Sequence, residues 1–467
     1  MKFLLFGTGD YYERYKKWFH KNDIVALIDN SLQKQHTTLD GIDILPPEEG
    51  IALPFDVVVI LSFYVKEMRL QLIKLSVAED VIYHFYDLHR FFDREELKQP
   101  LQCFGGAKEL IGPGNQSEKQ ILLLSQDLTL GGPAIALFHA AEILMRHGFK
   151  VVYASMLDGP LRERLLSAKI PVVVDANLQL ATMQEAEWTN CFSLLICNTI
   201  NFHVFLQRRN NRIPVVWWLH DCEFFYDGID KESLKRIDRK NLKIVSVGPV
   251  PQKAFQKFVP DVPVDRLLYG VADIDKSAAY EQWEQNKLHF VTIGFLEDIK
   301  GQDLLVQALR RLPQNMRCKA EFWLIGHDKT LFAQKVKEMS GWMPEVKFAG
   351  SVNRETIHRM LHSADVLVCP SRQDSMPTVA AEAMMHSVPC IMSDAAGTAA
   401  YIRDGVNGFV FQSENVEELS VKINWCLKHH DGLYEIGIQA RKIYEQYFSM
   451  NVFEKNLLHI VNGMFTG

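Results

Sequence analysis

The sequence predicts an α/β protein made of three consecutive units, each with a mainly parallel sheet. Short apolar runs of β-forming residues alternate with stretches of helix-forming residues along the chain, which is typical of parallel strands joined by helices. Glycine directly follows several of these runs, as at Gly7, Gly294 and Gly326, where a strand would turn into a helix. The length of 467 residues is too great for one ordinary domain and suggests roughly three.

Composition and charge are those of a globular protein. Hydrophobic residues make up 48% and charged residues 23% of the chain, which leaves enough apolar surface for several cores. The net charge of −6 gives no indication of a nucleic-acid partner, and we expect none. The eight cysteines form no Cys-x-x-Cys pair, and several lie inside apolar runs, which indicates buried free thiols in a reducing compartment.

No segment of the sequence is typical of a signal peptide or a membrane-spanning helix. Glycine and aspartate occur within the first ten residues, before an apolar signal segment could form. The longest apolar stretch, residues 51–65, is interrupted by a proline and an aspartate and is too short to cross a bilayer. The protein is therefore expected in the cytoplasm. The basic segments 208–212 and 235–243 are interpreted as solvated faces, with peripheral contact at the inner face of a membrane as the alternative.

Residues 1–97 are predicted to form a small Rossmann-like α/β domain. A first strand is followed by the turn Gly7-Thr8-Gly9, and the second strand ends at Asp29. A glycine turn followed about twenty residues later by an acid is the layout of a dinucleotide site. Tyr12 stands where a third glycine would fall, so a scaffolding role is favoured over nucleotide binding. Residues 98–119 are rich in glycine and proline and are predicted to be a linker.

A candidate ligand site follows the apolar run VLVC in the last third of the chain. Pro377 suits the first turn of a helix. The free N–H groups of Thr378 and Val379 would then point out of the helix start, at the positive end of its dipole, and form an anion site. Asp374 and Glu382 flank this start and would accept hydrogen bonds from ligand hydroxyls. These features suit a sugar nucleotide, although a plain strand–loop–helix unit would carry similar residues.

On these residues the chain resembles the retaining glycosyltransferases of family four, in the glycogen-synthase-like group, which have the GT-B fold. The family pattern is an acidic residue, seven residues, then Glu and Ala-Met. It stands here as Asp374, SMPTVAA and Glu382 followed by Ala-Met. The resemblance implies that Glu382 holds the ribose hydroxyls and that the amides of Thr378 and Val379 hold the diphosphate. Asp374, where the family usually has Glu, would face the donor sugar.

The same resemblance implies four further site residues. Gly132 belongs to a Gly-Gly turn that borders the cleft in the family, and Gly294 follows a strand at a second family position. Lys300, in a Lys-Gly pair, would hold the donor diphosphate as a point charge. His220 follows the apolar run VVWWL and would contact the donor sugar near the reacting carbon. Its alternative role is that of a histidine capping a strand.

The resemblance covers residues 120–467 and implies the arrangement of this region. Residues 120–283 would form the acceptor domain and residues 284–439 the donor domain, with a helix over 440–467 crossing back onto the acceptor domain. An additional Rossmann-like unit would precede this GT-B fold. The chain departs from the family at two further positions, with Phe295 in place of an Arg and Ala400 in place of a Glu. Without that Arg, either Lys300 acts with the helix amides alone or another cation is needed.

The function implied is that of a retaining, metal-independent hexosyltransferase. It would move a sugar from a UDP- or GDP-sugar to a saccharide or lipid-linked acceptor in cell-surface polysaccharide biosynthesis, with no cofactor and no metal site. The alternative is a GT-B protein that binds a sugar nucleotide without turnover. The expected catalytic residues are His220, Lys300 and Asp374, and the expected donor-binding residues are Gly132, Gly294, Thr378, Val379 and Glu382.

Overall fold

Three α/β units follow one another along the chain, each built on its own sheet. The computed structural model describes residues 1–62, 64–92, 100–112, 119–178, 186–227, 229, 231–274 and 286–466. The predicted unit boundaries at 97/98 and 283/284 lie outside these residues, as does Gly467. The predicted fold class is therefore confirmed, with mainly parallel sheets in all three units.

The first unit is a six-stranded sheet with the order β3-β4-β2-β1-β5-β6. Only the β3–β4 pair is antiparallel among the pairings of this sheet in the described residues. Its strands and helices are β1 (Phe3–Phe6), α1 (Asp10–Tyr15), β2 (Ile24–Ile28), β3 (Thr37–Leu39), β4 (Ile42–Leu45), α2 (Pro47–Gly50), β5 (Val57–Ile60), α3 (Val65–Lys74) and β6 (Ile82–His84). The unit has a core of its own, because its central strands are apolar on both faces.

The second unit is an eight-stranded sheet with the order β14-β13-β12-β11-β8-β9-β10-β7. Its strands are β7 (Gln102–Phe104), β8 (Gln120–Asp127), β9 (Lys150–Leu157), β10 (Val172–Val174), β11 (Leu194–Asn198), β12 (Val215–Leu219), β13 (Leu242–Ser246) and β14 (Asp265–Arg266). Its helices are α4 (Ala107–Leu110), α5 (Gly132–Arg146), α6 (Leu161–Ser167), α7 (His203–Arg208), α8 (Lys231–Lys235) and α9 (Pro249–Phe258).

The predicted linker, residues 98–119, differs from the structure in its described part. Residues 102–104 form β7, which pairs antiparallel with β10 at the edge of the second sheet, and α4 follows. This pairing gives backbone hydrogen-bond partners to an edge that would otherwise stay open. A strand of three residues is too short to show the alternation by which strands are recognised in a sequence.

The third unit is a six-stranded, parallel sheet with the order β17-β16-β15-β18-β19-β20. Its strands are β15 (Leu288–Ile293), β16 (Ala320–Ile325), β17 (Val346–Gly350), β18 (Val366–Cys369), β19 (Cys390–Ser393) and β20 (Phe409–Phe411). Its helices are α10 (Gln302–Arg311), α11 (Gln314–Arg317), α12 (Leu331–Ser340), α13 (Arg354–Ser363), α14 (Thr378–Met385), α15 (Val416–Lys428) and α16 (His430–Ile443), and α17 (Met450–Thr466) ends the described chain.

Helix α17 leaves the third unit and packs against the second. The Glu454 carboxylate accepts a hydrogen bond from Arg146 at 2.8 Å and lies 2.7 Å from the ring of His147. Phe465 stacks on Phe149 with ring centroids 5.9 Å apart. The segment expected over 440–467 thus crosses back, although a π-helical turn, Tyr444–Phe448, separates α16 from α17. In the part of the chain that the structure describes, no helix is long and apolar enough to cross a membrane.

Candidate functional site

A cleft of about 410 Å³ lies between the second and third units, at the carboxyl ends of their strands. Its volume is within the range of small-molecule sites. All eight site residues expected from the sequence line it, namely Gly132, His220, Gly294, Lys300, Asp374, Thr378, Val379 and Glu382. The first two come from the second unit and the other six from the third, so a ligand in the cleft would contact both units.

The strand order of the third unit explains why these residues meet. β15 pairs with β16 on one side and with β18 on the other, so the direction of winding changes between β15 and β18. The loops that follow two such strands diverge and leave a crevice at the carboxyl edge, where ligands of parallel sheets bind. Gly294 follows β15, and Asp374 lies in the loop after β18. The prediction that one ligand site contains both loops is consistent with this geometry.

Lys300 and Asp374 form an ion pair within the cleft. The Lys300 ammonium lies 2.7 Å from the Asp374 carboxylate. The attraction of this carboxylate, opposed by burial, raises the pKa of Lys300 above its usual value, so the ammonium stays charged. Gly301, with φ of +66°, ends the turn that carries Lys300, and a Cβ at this position would meet the backbone oxygen of Pro370 at 2.1 Å. Glycine is therefore required for the Lys300 turn to approach the loop after β18.

The backbone of Asp374 is held by the segment that follows β19. Its N–H donates to the oxygen of Ala395 at 3.2 Å, and its oxygen accepts from the N–H of Gly397 at 3.0 Å. A Cβ at Gly397 would lie 1.9 Å from the oxygen of Ser375, so only glycine permits this contact. Ala400, where the family has Glu, lies in the short 3-10 helix Gly397–Tyr401 and is exposed; among the described residues it is not part of the cleft lining.

The start of α14 faces the cleft as the sequence predicts. Pro377 precedes the helix with φ of −60°, and Thr378 and Val379 supply the first N–H groups, which have no intrahelical partners. One turn later, the Glu382 side chain is 2% exposed. Its oxygen Oε1 accepts a hydrogen bond from Arg354, whereas Oε2 is buried with no hydrogen-bond partner among the described residues.

Arg354 is a cleft residue that the sequence analysis missed. It begins α13, lines the cleft and has a side chain that is 64% exposed. Phe295, which replaces the family Arg, is 60% exposed and lies with its ring 5.9 Å from that of His327. Arg354 therefore brings a second cation to a cleft that lacks the one expected at Phe295. The only sign of Arg354 in the sequence was the absence of the family Arg at position 295, and this absence does not show where a substitute cation would lie.

His220 lies on the second-unit side of the cleft and is 7% exposed. Burial lowers its pKa to about 3, so the imidazole is neutral, and its Nε2 atom has no hydrogen-bond partner within the described residues. The neighbouring Asp221 does not orient the ring but accepts backbone N–H groups from Ile200 at 2.7 Å and His220 at 3.3 Å. Ser375 of the third unit donates its hydroxyl proton to the backbone oxygen of His220, which joins the two sides of the cleft.

The glycine turn of the first unit has a different environment. The Asp29 carboxylate accepts hydrogen bonds from the N–H group of Thr8, at 3.0 Å, and from its hydroxyl, and it lies 3.4 Å from the ammonium of Lys34. The acid that would take ribose hydroxyls in a dinucleotide site is thus used within the unit. Tyr12 is buried in the core. This arrangement is consistent with the scaffolding interpretation of the first unit.

Sequence families match all three units. Residues 117–247 match the family described as Glycosyl-transferase family 4, and residues 273–443 match Glycosyl transferases group 1. With the fold and cleft described above, these matches define the class: the chain is a GT-B glycosyltransferase. More narrowly, its second unit is a family 4 domain and its third a group 1 domain. Residues 1–83 match a separate family, C2185-like, N-terminal.

Two similar proteins of known sequence illustrate this relationship. Spore coat protein SA of Bacillus subtilis is 26% identical over 288 residues, which is 57% of this chain and 76% of that protein. The lipopolysaccharide glucosyltransferase WaaG of Escherichia coli is 27% identical over 194 residues, or 41% of this chain and 48% of WaaG. The chain thus aligns with about half the length of WaaG.

Solved structures share the fold of the second and third units. HepE from Anabaena, in complex with UDP and glucose, superposes with a TM-score of 0.60 at 20% identity, over 73% of this chain and 99% of HepE. The apo form of the lipopolysaccharide outer core galactosyltransferase WaaB superposes with a TM-score of 0.61 at 14% identity, over 74% of this chain and 99% of WaaB.

Proposed function

We propose that this protein is a retaining, metal-independent hexosyltransferase that uses a UDP- or GDP-sugar and acts in cell-surface polysaccharide biosynthesis in the cytoplasm. Its acceptor would be a saccharide or a lipid-linked saccharide, reached at the inner face of a membrane. The names of the similar proteins support this assignment, because WaaG is a lipopolysaccharide glucosyltransferase and HepE was crystallised with UDP and glucose. The chain's own residues supply the chemical reasons.

The observation that carries the proposal is the grouping of three features in one cleft: the partly buried cation of Lys300, the start of α14, and the Glu382 carboxylate with one oxygen unpaired in the described chain. Lys300 and the N–H groups of Thr378 and Val379 supply positive charge for a diphosphate. Glu382 has one carboxylate oxygen without a partner in the described part of the chain, which suits a ribose hydroxyl donor. Asp374 lies between these groups and would accept hydrogen bonds from hydroxyls of the donor sugar.

The proposed reaction needs positioning and charge stabilisation from the protein. The acceptor hydroxyl oxygen forms a bond to the anomeric carbon on the face from which the diphosphate leaves, as the bond between that carbon and the phosphate oxygen breaks. The hydroxyl proton passes to the departing phosphate oxygen. Lys300 and the start of α14 would stabilise the negative charge that develops there. Neutral His220 would orient the donor sugar beside the reacting carbon.

A sugar-nucleotide-binding protein without turnover is the second candidate. It is favoured by the ion pairs that already engage both acidic residues of the motif, Asp374 with Lys300 and Glu382 with Arg354, and by the exposed Phe295 at the family's Arg position. Such a protein would bind the donor but would neither transfer the sugar nor hydrolyse the donor.

Calorimetric titration with a panel of UDP- and GDP-sugars tests the donor site. We expect one nucleotide to bind the wild type and to bind Lys300→Ala and Glu382→Ala at least roughly tenfold more weakly, because each loses a contact to a charged group. The matched control is Lys335→Ala, at an exposed position of α12, which should bind normally. Turnover of the bound donor then separates an enzyme from a binding protein. Binding that survives both cleft substitutions would contradict this assignment of the site.

A further inference from the structure

Two hydrogen bonds join the loop after β18 to the second unit, at the residues that directly follow Asp374. Ser375 donates its hydroxyl proton to the backbone oxygen of His220. The phenol of Tyr269, which is buried and lines the cleft, donates to the backbone oxygen of Met376 at 2.9 Å. The loop that carries Asp374 is therefore bonded to the opposite wall of the cleft, which carries His220.

The Ser375 hydroxyl has a donor as well as an acceptor in the second unit. Its oxygen lies 3.1 Å from the Sγ atom of Cys222. Burial, together with the nearby carboxylate of Asp374, raises the pKa of Cys222 to about 12, so the thiol keeps its proton. Because the Ser375 proton is directed to the oxygen of His220, the thiol is the donor in this contact. A thiol, a hydroxyl and a carbonyl thus form one chain of hydrogen bonds, which favours a single position of the loop.

The backbone of the second unit also approaches this loop closely at Gly248, which follows β13. A Cβ at this position would lie 3.0 Å from Met376 Sδ and 3.3 Å from the backbone oxygen of Ser375. Contacts this short would press on the loop, since closely packed atoms leave little room for an added group. The second unit therefore contacts the loop through packing as well as through hydrogen bonds.

A third hydrogen bond between the two units provides a comparison. Arg266 Nη1 donates to the hydroxyl oxygen of Tyr401 at 3.0 Å. Arg266 is exposed, and neither residue is part of the cleft lining in the described chain. This bond joins the same two units, but it makes no contact with the two residues that follow Asp374.

We propose that Ser375 and Tyr269 are positioning residues for the donor sugar; this inference rests on the proposed function. In that function the sugar contacts His220 on one wall and Asp374 on the other, so its alignment depends on the relative placement of these two residues. The Ser375 bond begins one residue after Asp374 and ends on the backbone of His220. The nucleotide would contact chiefly the third unit, through the start of α14, and so does not require this alignment.

Calorimetric titration separates the positioning of the sugar from the binding of the nucleotide. The panel of UDP- and GDP-sugars is titrated beside free UDP and GDP into the wild type, Ser375→Ala and Tyr269→Phe. We expect both variants to bind the nucleotide like the wild type, but to bind its sugar derivative roughly three- to tenfold more weakly, because one buried hydrogen bond is lost. The matched control Tyr401→Phe removes the hydroxyl of the comparison bond and should leave both affinities unchanged.

The ratio of the two affinities distinguishes positioning from a general structural role. A variant that binds the nucleotide like the wild type is folded, and Tyr269→Phe serves if Ser375→Ala is not. Equal weakening of nucleotide and sugar nucleotide, or no weakening of either, would overturn the proposal. An equal loss in Tyr401→Phe would overturn it as well, because any bond between the units would then have the same effect.

Amide hydrogen exchange without ligand distinguishes this inference from the proposed function. Peptides that cover residues 371–377 should exchange faster in Ser375→Ala/Tyr269→Phe than in the wild type, because the loop opens more often when both bonds are lost. Unchanged exchange would show that the two bonds do not hold the loop and would overturn the inference. A wild type that binds no nucleotide or sugar nucleotide would instead contradict the proposed function, whatever the exchange shows.

Discussion

Lys300 and Asp374 are 74 residues apart in the chain, yet the ammonium of one lies 2.7 Å from the carboxylate of the other in the wall of the cleft. The pair joins the loops after β15 and β18, the two strands between which the winding direction changes. Each member thus holds the other in place, and in the proposed function Lys300 would be the cation for a diphosphate and Asp374 the acceptor for sugar hydroxyls. The first prediction concerns this pair.

Lys300→Ala should lower kcat for sugar transfer by roughly 10²–10³-fold, because the charge on the leaving diphosphate loses a preorganised partner. Lys300→Arg keeps the positive charge but spreads it over a planar guanidinium group. This variant should therefore recover part of that loss. Initial rates with a saturating donor measure both effects. Equal kcat values for Lys300→Ala and the wild type would exclude a role for Lys300 in the chemical step.

Glu382→Gln should raise the donor KM by roughly tenfold with a smaller change in kcat, because a ribose hydroxyl loses a charged acceptor. The substitution also removes the charge that faces Arg354. Arg354→Gln therefore serves as the companion variant, since it disrupts the same ion pair but leaves the carboxylate. If Arg354→Gln raises KM as much as Glu382→Gln does, the ion pair rather than the carboxylate is what the donor requires.

Gly397→Ala should reduce activity and stability together. The added Cβ would lie 1.9 Å from the backbone oxygen of Ser375, so the loop that holds Asp374 must shift, at a cost of about 1–3 kcal/mol. Gly463→Ala is the control, since a Cβ there meets no described atom within 4 Å, and alanine in a helix is stabilising by up to about 1 kcal/mol. Urea unfolding and initial rates of both variants check this prediction.

Asp221 should make stability depend on pH between about 4 and 7. Burial raises its pKa from 3.8 to about 7, so its contribution is fully present below the unfolded value and is lost as pH rises through the folded value. Asp221→Asn retains the acceptor for the N–H groups of Ile200 and His220 but does not titrate. The free energy of unfolding of the wild type minus that of the variant should fall across this window, by an amount on the order of a few kcal/mol.

His220 also makes stability depend on pH, so the quantity to measure is the difference in the free energy of unfolding between the wild type and Asp221→Asn. The pKa of His220 is lowered to about 3 by burial, so its contribution is present above the unfolded value and is lost as pH falls, which is opposite in sign to that of Asp221. The His220 contribution is common to the wild type and Asp221→Asn, and it cancels in the difference. A difference that stays constant from pH 4 to 7 would contradict the raised pKa of Asp221.

The strand–loop–helix segment around Pro377 was predictable because its signals are local. Proline at a helix start, helix formers after it and acids at fixed spacing lie within a few residues of each other. The rule that ligands bind at the carboxyl edge of parallel strands placed His220 at such an edge, whereas Gly132 and Lys300 were expected in the cleft from the family resemblance.

Contacts between distant segments were not predictable in this way. Arg354 donates a hydrogen bond to Glu382, and Ser375 donates one to the backbone oxygen of His220. Both contacts depend on how helices and units pack together, and this packing produces no periodic pattern in a single sequence. The same is true of Arg14 beside Asp127, because the docking of one compact unit on another depends on the shape of both surfaces. The short strand β7 was missed because its partner β10 is distant in the chain.

The return of the C-terminal helix has a mechanical consequence. Val271, at the end of the second unit, donates its N–H to the oxygen of Phe448 at 2.8 Å and forms an isolated parallel bridge with Ser449, while Tyr444 donates its hydroxyl proton to the oxygen of Val271 at 2.9 Å. The outgoing and returning segments therefore pass side by side, joined by these hydrogen bonds. The second and third units are thus connected by two mutually bonded segments, which constrain the relative alignment of the two cleft walls more than a single connection would.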